Sequence, residues 1–171
     1  MSAFLRACRR EKTAYTPIWL MRQAGRYQPE YRALRQRYGF VEMCKNADVA
    51  AEVTLLAVSQ LGVDAAIIFA DILLILEPLG IGFEFTKDDG PRIEKPVRTS
   101  ADIDAVAERI DPDASLGYVL DAIKKTRSGL PKDVPLIGFC GATDTLASYV
   151  IEGGGSSDYM NTKKLMWSDE G

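Results

Sequence analysis

The chain has 171 residues, of which 47% are hydrophobic and 26% charged, a composition typical of a soluble globular protein that buries a core. Its 21 basic and 24 acidic side chains leave a net charge of −3, which gives no reason to expect nucleic acid or a membrane as a partner. The sequence has no histidine and only three widely spaced cysteines (Cys8, Cys44 and Cys140), so we expect no metal site built from His and Cys.

The first third of the chain predicts a helix, a buried strand and a second helix. Ser2 is a candidate N-cap for a short first helix. The nearly all-apolar run Pro17–Met21 is typical of a strand buried on both faces. Pro29 is expected to open the next helix and Gly39 to close it.

The next segment repeats this order and indicates the fold class. A helix is predicted to begin at Asp48 and to end at Gly62, with an apolar stripe along one side. The second apolar strand follows at Ala65–Ala70. Alternation of helices with continuously hydrophobic strands predicts an α/β fold, in which helices pack outside a parallel sheet.

The second half of the chain adds a hairpin and a third buried strand. Phe83–Phe85 and Arg92–Glu94 flank the turn pair Asp89-Gly90, which predicts a β-hairpin. Pro135–Phe139 predicts the third buried strand. Helices are predicted from Ser100, across Leu116–Ile123, and within residues 156–171.

The location of the protein is predicted from three absences. Residues 1–10 lack the apolar region of a signal peptide, and the run Ala65–Ala70 is too short to span a bilayer. The cysteines contain no C-x-x-C pair, and we interpret them as small buried apolar residues in a reducing compartment. The sequence therefore predicts a cytoplasmic protein.

Charged and polar residues follow the predicted strands, where ligands of parallel α/β folds bind. Arg22 and Arg26 follow the first strand, Asp71 follows the second, and Tyr149 comes after the third. Guanidinium groups bind carboxylates through paired hydrogen bonds, so this set predicts an anionic ligand that also has N–H donors. Each residue also has an ordinary interpretation: the arginines as surface ion-pair or cap residues, Asp71 as a helix N-cap, and Tyr149 as a core residue.

Several blocks of sequence are more specific than this spacing. They are Leu20–Tyr27 (L-M-R-Q-A-G-R-Y), Pro29–Arg32, Ile68–Leu73 (I-F-A-D-I-L), Gly138–Ala142, Thr145–Tyr149 and Glu152–Ser156. In this order the blocks resemble the uroporphyrinogen decarboxylase family, and the likeness extends from about Phe4 to Lys164.

The resemblance implies the fold of that family, a (β/α)₈ barrel. A complete barrel takes about 250 residues, so the expectation is a single domain over residues 1–171 that forms the N-terminal half of a TIM barrel, with the barrel incomplete. An open half-barrel has two sheet edges and an uncovered apolar face. We therefore expect a partner: a second copy in a homo-oligomer, a complementing C-terminal half, or a covering segment of the chain itself.

The resemblance also implies a reaction, the decarboxylation of the four acetate arms of uroporphyrinogen to give coproporphyrinogen in tetrapyrrole and haem biosynthesis. The family uses no metal and no organic cofactor. The residues that match its substrate-binding positions are Arg22, Gln23, Ala24, Gly25, Arg26, Asp71 and Tyr149. Of these, Asp71 and Arg26 are implied to be catalytic. Asp71 is implied to accept hydrogen bonds from the pyrrole N–H groups and to stabilise positive charge as the ring is protonated.

Two departures from the family pattern qualify this hypothesis. Asp144 stands where the family has an aromatic residue, and it would repel a polyanionic ligand if it faced the pocket; we favour a position facing solvent. The second departure is that the chain matches only one half of the family pattern, whereas the other half supplies a serine and a histidine to the pocket. The activity of this chain alone is therefore expected to be low or absent.

Two other functions stay open. The chain is alternatively a non-catalytic half-barrel that binds porphyrin or self-assembles as a structural module. A corrinoid- or zinc-dependent methyltransferase of the same superfamily is less favoured, because its metal site needs His and Cys ligands that the sequence does not provide.

Overall fold

The computed structural model describes residues 2–86 and 90–168, which pack into two compact units. Unit 1 comprises Met1–Ala70 and Gly117–Phe139, and unit 2 comprises Asp71–Leu116 and Cys140–Gly171. The longest helix, α6 (Pro112–Gly129), is kinked at Leu116, where φ is −124° and ψ is 17°, and the division between the units falls at this kink.

Unit 1 contains a two-stranded parallel sheet and the helices around it. Its elements are α1 (Ala3–Cys8), α2 (Pro29–Arg37), α3 (Phe40–Lys45), α4 (Ala47–Leu61), β1 (Ala66–Ile67), the part of α6 from Gly117 onward, and β4 (Leu136–Ile137). Ala66 pairs with Leu136 and Ile67 with Ile137 in the parallel register. The predicted α/β class with parallel strands is confirmed, although each strand is shorter than the apolar run that predicted it.

The core of unit 1 is built on α4. Its residues Ala50, Val53, Thr54 and Ala57 are all fully buried and recur at the three- and four-residue spacing of one helix face. The helix ends at Gly62, as predicted, because this residue adopts the left-handed conformation (φ 63°) that closes a helix.

Among the described residues, unit 2 contains the hairpin, a 3₁₀ helix, three α-helices and the start of α6 up to Leu116. Its elements are a 3₁₀ helix (Ile72–Leu76), β2 (Phe83–Thr86), β3 (Gly90–Ile93), α5 (Ser100–Asp104), α7 (Thr143–Glu152) and α8 (Met160–Ser168). β2 and β3 pair antiparallel, with Phe83 opposite Ile93, so the predicted hairpin is confirmed. Asp89 of the predicted turn lies outside the described residues, as do positions 169–171 of the predicted last helix.

The strand predicted at Pro17–Met21 is wrong. This segment has no regular secondary structure, and Ile18 and Met21 are 57% and 75% exposed. A strand needs a neighbour that pairs with successive backbone groups. Ile18 instead bonds to a single residue: its N–H donates to the carboxylate of Asp64 at 2.8 Å and its C=O accepts from the Asp64 N–H at 2.8 Å.

Two predicted helix caps are each displaced by one or two residues. Asn46, rather than Asp48, caps α4, because its side-chain oxygen accepts from the backbone N–H groups of Asp48 and Val49. Thr99, rather than Ser100, caps α5. Ser2 does cap α1, accepting from the N–H of Leu5 at 3.3 Å, as predicted.

Gly39 has a different role from the one predicted. Gly39 was expected to close α2, but α2 ends at Arg37 and Gly39 is the N-cap of α3.

The cysteines differ from prediction in their exposure. Cys44 is buried as expected, but Cys8 and Cys140 are exposed, so the prediction of three buried thiols is wrong for two of them. None of these three cysteines, all within the described part of the chain, forms a disulfide. Among residues 2–86 and 90–168, no helix combines the length and the apolarity that crossing a membrane requires.

Candidate functional site

The loop formed by residues 22–28 of unit 1, here called the arginine loop, carries the two predicted ligand-binding arginines. Arg22 and Arg26 are both exposed. Neither guanidinium group makes a hydrogen bond or ion pair with any residue that the structure describes. Both guanidinium groups are therefore available to an anion.

Two buried glutamines fix the backbone of the arginine loop. Gln23 is 1% exposed, and its Oε1 accepts from the N–H of Leu20 at 3.2 Å. Gln28 is 2% exposed, and its Oε1 accepts from the N–H of Gly25 at 3.0 Å. The hydroxyl of Tyr27 donates to the carbonyl of Gln23 and closes the loop on itself. The arginines therefore extend from a backbone whose shape is set before any ligand arrives.

Arg32 of α2 supports the same loop from its C-terminal side. Its Nη1 donates to the carbonyl of Arg26 at 2.8 Å and to that of Tyr27 at 3.3 Å. Arg32 thus has a structural role, in contrast to Arg22 and Arg26, although all three belong to the same arginine-rich segment.

A chain of side-chain amides links the arginine loop to two helices. Nε2 of Gln28 donates to Oε1 of Gln60 in α4 at 2.9 Å, and Nε2 of Gln60 donates to Oε2 of Glu30 in α2 at 2.8 Å. The bond from Gln60 is the largest cause that lowers the pKa of Glu30, so the carboxylate at the end of the chain stays ionised. Each amide is oriented by the next, which fixes Oε1 of Gln28 as the acceptor for Gly25.

The three residues between the arginines have distinct surroundings. Ala24 packs against the buried cluster that contains Tyr31 and Leu34. A Cβ at Gly25 would lie 3.2 Å from the ring of Tyr27, so glycine lets this ring approach the loop closely. Nε2 of Gln23 is buried without a hydrogen-bond partner, which is costly for an amide donor and occurs here beside the candidate binding residues.

Asp71 is the N-cap of the 3₁₀ helix in unit 2. Its Oδ1 accepts from the N–H of Leu73 at 2.9 Å, so the cap interpretation is confirmed. Its Oδ2 has no hydrogen-bond partner among the described residues. Burial raises the pKa of Asp71, and the bond from Leu73 opposes that shift. The cap uses one oxygen and leaves the other free to accept from a ligand.

Tyr149 is a half-buried residue of α7 and lines a cavity of about 340 Å³ within unit 2. The lining residues of this cavity, here called the tyrosine cavity, are Asp144, Thr145, Ser148, Tyr149, Gly154, Gly155, Ser156 and Tyr159. Asp144 is exposed, as the favoured position facing solvent predicts, and it also contributes to the lining of this cavity. The chain turns back after α7 through Gly154–Ser156, and Asn161 and Thr162 at the start of α8 donate to the carboxylate of Glu152 at the end of α7.

The predicted site residues fall into three places. Arg22 to Arg26 come together in the arginine loop of unit 1, Asp71 begins the 3₁₀ helix of unit 2, and Tyr149 lies in the tyrosine cavity. Their convergence on one ligand stays a prediction. Among the residues that the structure describes, no group of His, Cys, Asp or Glu side chains is placed to hold a metal ion.

Sequence reasoning missed the residues that support the arginine loop. Gln60 lies 32 positions from Gln28, and nothing in its neighbourhood along the chain indicates that the two amides meet. Tyr27 and Arg32 lie within the sequence blocks that resemble the family, but the sequence alone predicted no role for them. The signal available was the high polarity of residues 22–30 beside apolar runs, since buried amides need specific partners.

Comparison with known proteins relates the whole chain to one family. The model of a family described as Uroporphyrinogen decarboxylase (URO-D) matches residues 1–171. The uroporphyrinogen decarboxylase of Carboxydothermus hydrogenoformans is 61% identical over 96% of this chain and 47% of its own length. That of Sorangium cellulosum is 58% identical over 97% of this chain and 47% of its own length. The chain thus spans about half the length of these relatives.

A solved structure shares the fold. A methyltransferase from Methanosarcina mazei superimposes with a TM-score of 0.72 and covers 98% of this chain and 48% of that protein. The two sequences are 18% identical, so the likeness concerns the fold alone.

Proposed function

Because the chain belongs to the uroporphyrinogen decarboxylase family, we propose that it carries substrate-binding and catalytic residues of an enzyme that converts uroporphyrinogen to coproporphyrinogen. The observation that carries this proposal is the arginine loop, in which Arg22 and Arg26 are exposed and form no side-chain hydrogen bond or ion pair with a described residue. Two buried glutamines fix the backbone from which they extend. The proposed reaction belongs to tetrapyrrole and haem biosynthesis and needs no metal or organic cofactor.

The proposal includes the fold of the active enzyme. We assign residues 1–171 to one domain that forms the first half of a (β/α)₈ barrel. Support comes from the parallel pairing of β1 with β4 and from the packing of α4 and α6 against these strands. The M. mazei structure, of which this chain covers 48%, is consistent with half of a larger fold.

Arg22 and Arg26 are proposed to bind substrate carboxylates. Uroporphyrinogen carries a carboxylate on every side arm, and a guanidinium fork binds a carboxylate through two parallel charge-assisted hydrogen bonds. The fixed backbone of the arginine loop reduces the entropy lost on binding. Gln23, Ala24 and Gly25 are proposed to form the surface between the arginines against which the substrate lies.

Asp71 is proposed to be the electrostatic centre of the reaction. Loss of CO₂ leaves an electron pair that needs an acceptor, and a pyrrole ring protonated on carbon provides one. The C–C electron pair moves into this cationic ring, CO₂ leaves, and a second proton converts the resulting methylene group to a methyl. The ring carbon then releases the first proton, which restores the pyrrole, so that one proton is consumed for each CO₂ released. The Oδ2 of Asp71 is proposed to accept hydrogen bonds from the pyrrole N–H groups and to stabilise the cation. The partial burial of Asp71 strengthens this electrostatic attraction. Tyr149 is proposed to hydrogen-bond near the reacting arm.

A turnover assay with uroporphyrinogen under reducing conditions tests these roles. We expect Asp71→Asn to lower turnover by about 10²–10³-fold, because it keeps the helix cap but removes the charge. We expect Arg26→Ala to weaken substrate binding by roughly 10- to 100-fold. Arg9→Ala is the matched control, since Arg9 is another exposed arginine of unit 1 outside the loop.

The outcomes separate the candidate functions. Coproporphyrinogen formation that both site variants abolish and Arg9→Ala preserves supports the enzyme. Porphyrin binding without product supports the alternative, a non-catalytic binding module. Binding and turnover that are unaffected by Arg26→Ala and Asp71→Asn would overturn the assignment of both residues.

A partner is part of the proposal. The parallel sheet of the described residues has two strands and therefore two edges, and apolar side chains at Ile18, Leu20 and Met21 are exposed nearby in sequence to the arginine loop. We propose that a second copy of the chain or a complementing C-terminal half covers this segment. A cytoplasmic location is also proposed, supported by the absence of a disulfide among the three cysteines, all of which the structure describes.

A further inference from the structure

The amide chain that begins at Glu30 gives the arginine loop a support that lies outside the loop itself. We propose that Gln60 is a positioning residue for the polycarboxylate substrate, and that it acts by orienting Gln28, which in turn fixes the backbone of Gly25. This inference rests on the proposed function, because it takes the arginines of the loop to bind substrate carboxylates. Both glutamines lie outside the sequence blocks that resemble the family, so the resemblance assigns them no role.

The direction of hydrogen bonding along the chain is set at its exposed end. An ionised carboxylate can only accept, so the amide of Gln60 presents Nε2 to Glu30, at 2.8 Å, and turns Oε1 toward Gln28. Nε2 of Gln28 donates to this Oε1 at 2.9 Å. The oxygen of Gln28 then accepts from the N–H of Gly25 at 3.0 Å. One carboxylate therefore determines which atom of the Gln28 amide faces the arginine loop.

The opposite orientation of Gln28 would be costly. Its Nε2 would then face the N–H of Gly25, so two donors would meet and neither would have an acceptor. Gln28 is 2% exposed, which leaves little room for water to replace the lost bonds. Loss of the Gln60 side chain would remove both the partner of this buried amide and the group that orients it.

Gly25 is the point at which the chain acts on the arginines. It directly precedes Arg26, and glycine restricts its own backbone less than any other residue does. Gln28 bonds both backbone groups of Gly25: its Oε1 accepts from the N–H, and its own N–H donates to the C=O at 3.0 Å. Since Gln28 is also the N-cap of α2, the backbone that leads into Arg26 is tied to the start of this helix.

Gln60 lies on a well-packed helix and can be changed without opening the core. It belongs to the last turn of α4, in which Val53, Thr54 and Ala57 are fully buried. Its own side chain is exposed, so alanine at this position leaves no cavity. A residue that served only the fold would therefore have little effect on binding, whereas a positioning residue would affect binding more than stability.

Equilibrium binding of uroporphyrin, the fluorescent oxidised form of the proposed substrate, to the full chain tests the inference without requiring turnover. We expect Gln60→Ala to weaken binding by about three- to tenfold in fluorescence anisotropy at neutral pH, because the ligand must then order the loop. Both guanidinium groups remain in this variant, so the salt dependence of binding should match that of the unmodified chain. Arg26→Ala should reduce the salt dependence, because it removes a charge.

Two further variants give the controls. Gln36→Ala removes another exposed glutamine of unit 1, which forms no hydrogen bond with a described residue, and it should bind as the unmodified chain does. Gln28→Met replaces the buried amide with an apolar side chain of similar length. Adding Gln60→Ala to Gln28→Met should weaken binding no further, because the group through which Gln60 acts is gone.

The results separate failure of this inference from failure of the proposed function. Equal affinities of Gln60→Ala and Gln36→Ala, or a loss in Gln60→Ala that adds in full to that of Gln28→Met, overturn the inference and leave the proposed function intact. The comparison with Gln36→Ala decides even where Gln28→Met does not fold. Failure of the unmodified chain to bind uroporphyrin, or binding that Arg26→Ala leaves unaltered, overturns the inference together with the proposed role of the arginines.

Discussion

Two buried threonines in unit 1 have hydroxyl groups that affect the stability of the fold in opposite directions. Oγ1 of Thr54 donates to the carbonyl of Ala50 at 2.8 Å and accepts from the N–H of Phe69 at 2.9 Å, which ties the segment after β1 to α4. Thr126 in α6 is equally buried, but its hydroxyl has no hydrogen-bond partner among the described residues. The same side chain therefore stabilises the fold at one position and is costly at the other.

Valine has the shape of threonine without the hydroxyl, so it isolates this effect. We expect Thr54→Val to lower the free energy of unfolding by about 1–3 kcal/mol, because it leaves the buried N–H of Phe69 unpaired. We expect Thr126→Val to leave it unchanged or to raise it by up to about 1 kcal/mol. Urea unfolding followed by circular dichroism measures both, and equal losses in the two variants would contradict the roles assigned to these hydroxyls.

For single residues, the sequence predicted the exposed members of the site better than the buried ones. Arg22 and Arg26 were identified from their block, and the structure places them where a ligand can reach them. The amides that hold the loop depend on a contact between Gln28 and Gln60 across 32 positions, which no local pattern encodes. The contribution of Asp144 to the tyrosine cavity could not be predicted either, because it depends on where the chain returns after α7.

Neighbouring residues of the glycine run after α7, Gly153–Gly155, differ in how strictly their surroundings require glycine. Gly154 forms an antiparallel bridge with Arg92 of β3, and a Cβ at Gly154 would lie 2.7 Å from the backbone oxygen of Pro91. Its φ of 157° also disfavours a side chain. A Cβ at Gly155 would meet nothing within 4 Å. The bridge therefore requires glycine at position 154 and not at position 155.

Alanine at each position tests this difference between neighbours. We expect Gly154→Ala to destabilise unit 2 by about 1–3 kcal/mol, since the backbone oxygen in contact cannot move aside as a flexible side chain would. Gly155→Ala should change the free energy of unfolding by less than about 0.5 kcal/mol. Thermal and urea unfolding measure both variants, and similar losses would show that the run acts through general flexibility.

Helices and strands were predictable from the sequence where signals within their own residues determine them. The stripe of α4 and the left-handed Gly62 after it are local signals, and both the helix and its end were correct. The segment Pro17–Met21 is as apolar as a buried strand, but apolarity reports a preference for burial and does not supply a neighbouring strand. With Asp64 bonding both backbone groups of Ile18, the segment is held in place without a ladder.

At the scale of the whole molecule, the exposed apolar segment relates the fold to the proposed partner. Contiguous apolar residues are rarely left on the surface of a monomer and mark interaction sites. Ile18, Leu20 and Met21 lie within four positions of one another and lead directly into the arginine loop. A partner that covers them would also restrict the solvent around Arg22, where a drier environment strengthens the attraction between a guanidinium and a carboxylate.

A second copy as the partner predicts self-association that depends on this segment. Ile18 and Ile103 are both 57% exposed isoleucines, the first beside the arginine loop and the second in α5, so they form a matched pair. We expect sedimentation velocity at micromolar concentrations to show a mass that rises with concentration. Ile18→Lys should raise the dissociation constant by about tenfold or more, because it would bury an unpaired charge, whereas Ile103→Lys should behave as the unmodified chain does. A monomer at every concentration would exclude the second copy and leave a complementing half as the partner, and equal weakening by both variants would show that added charge, not this segment, controls association.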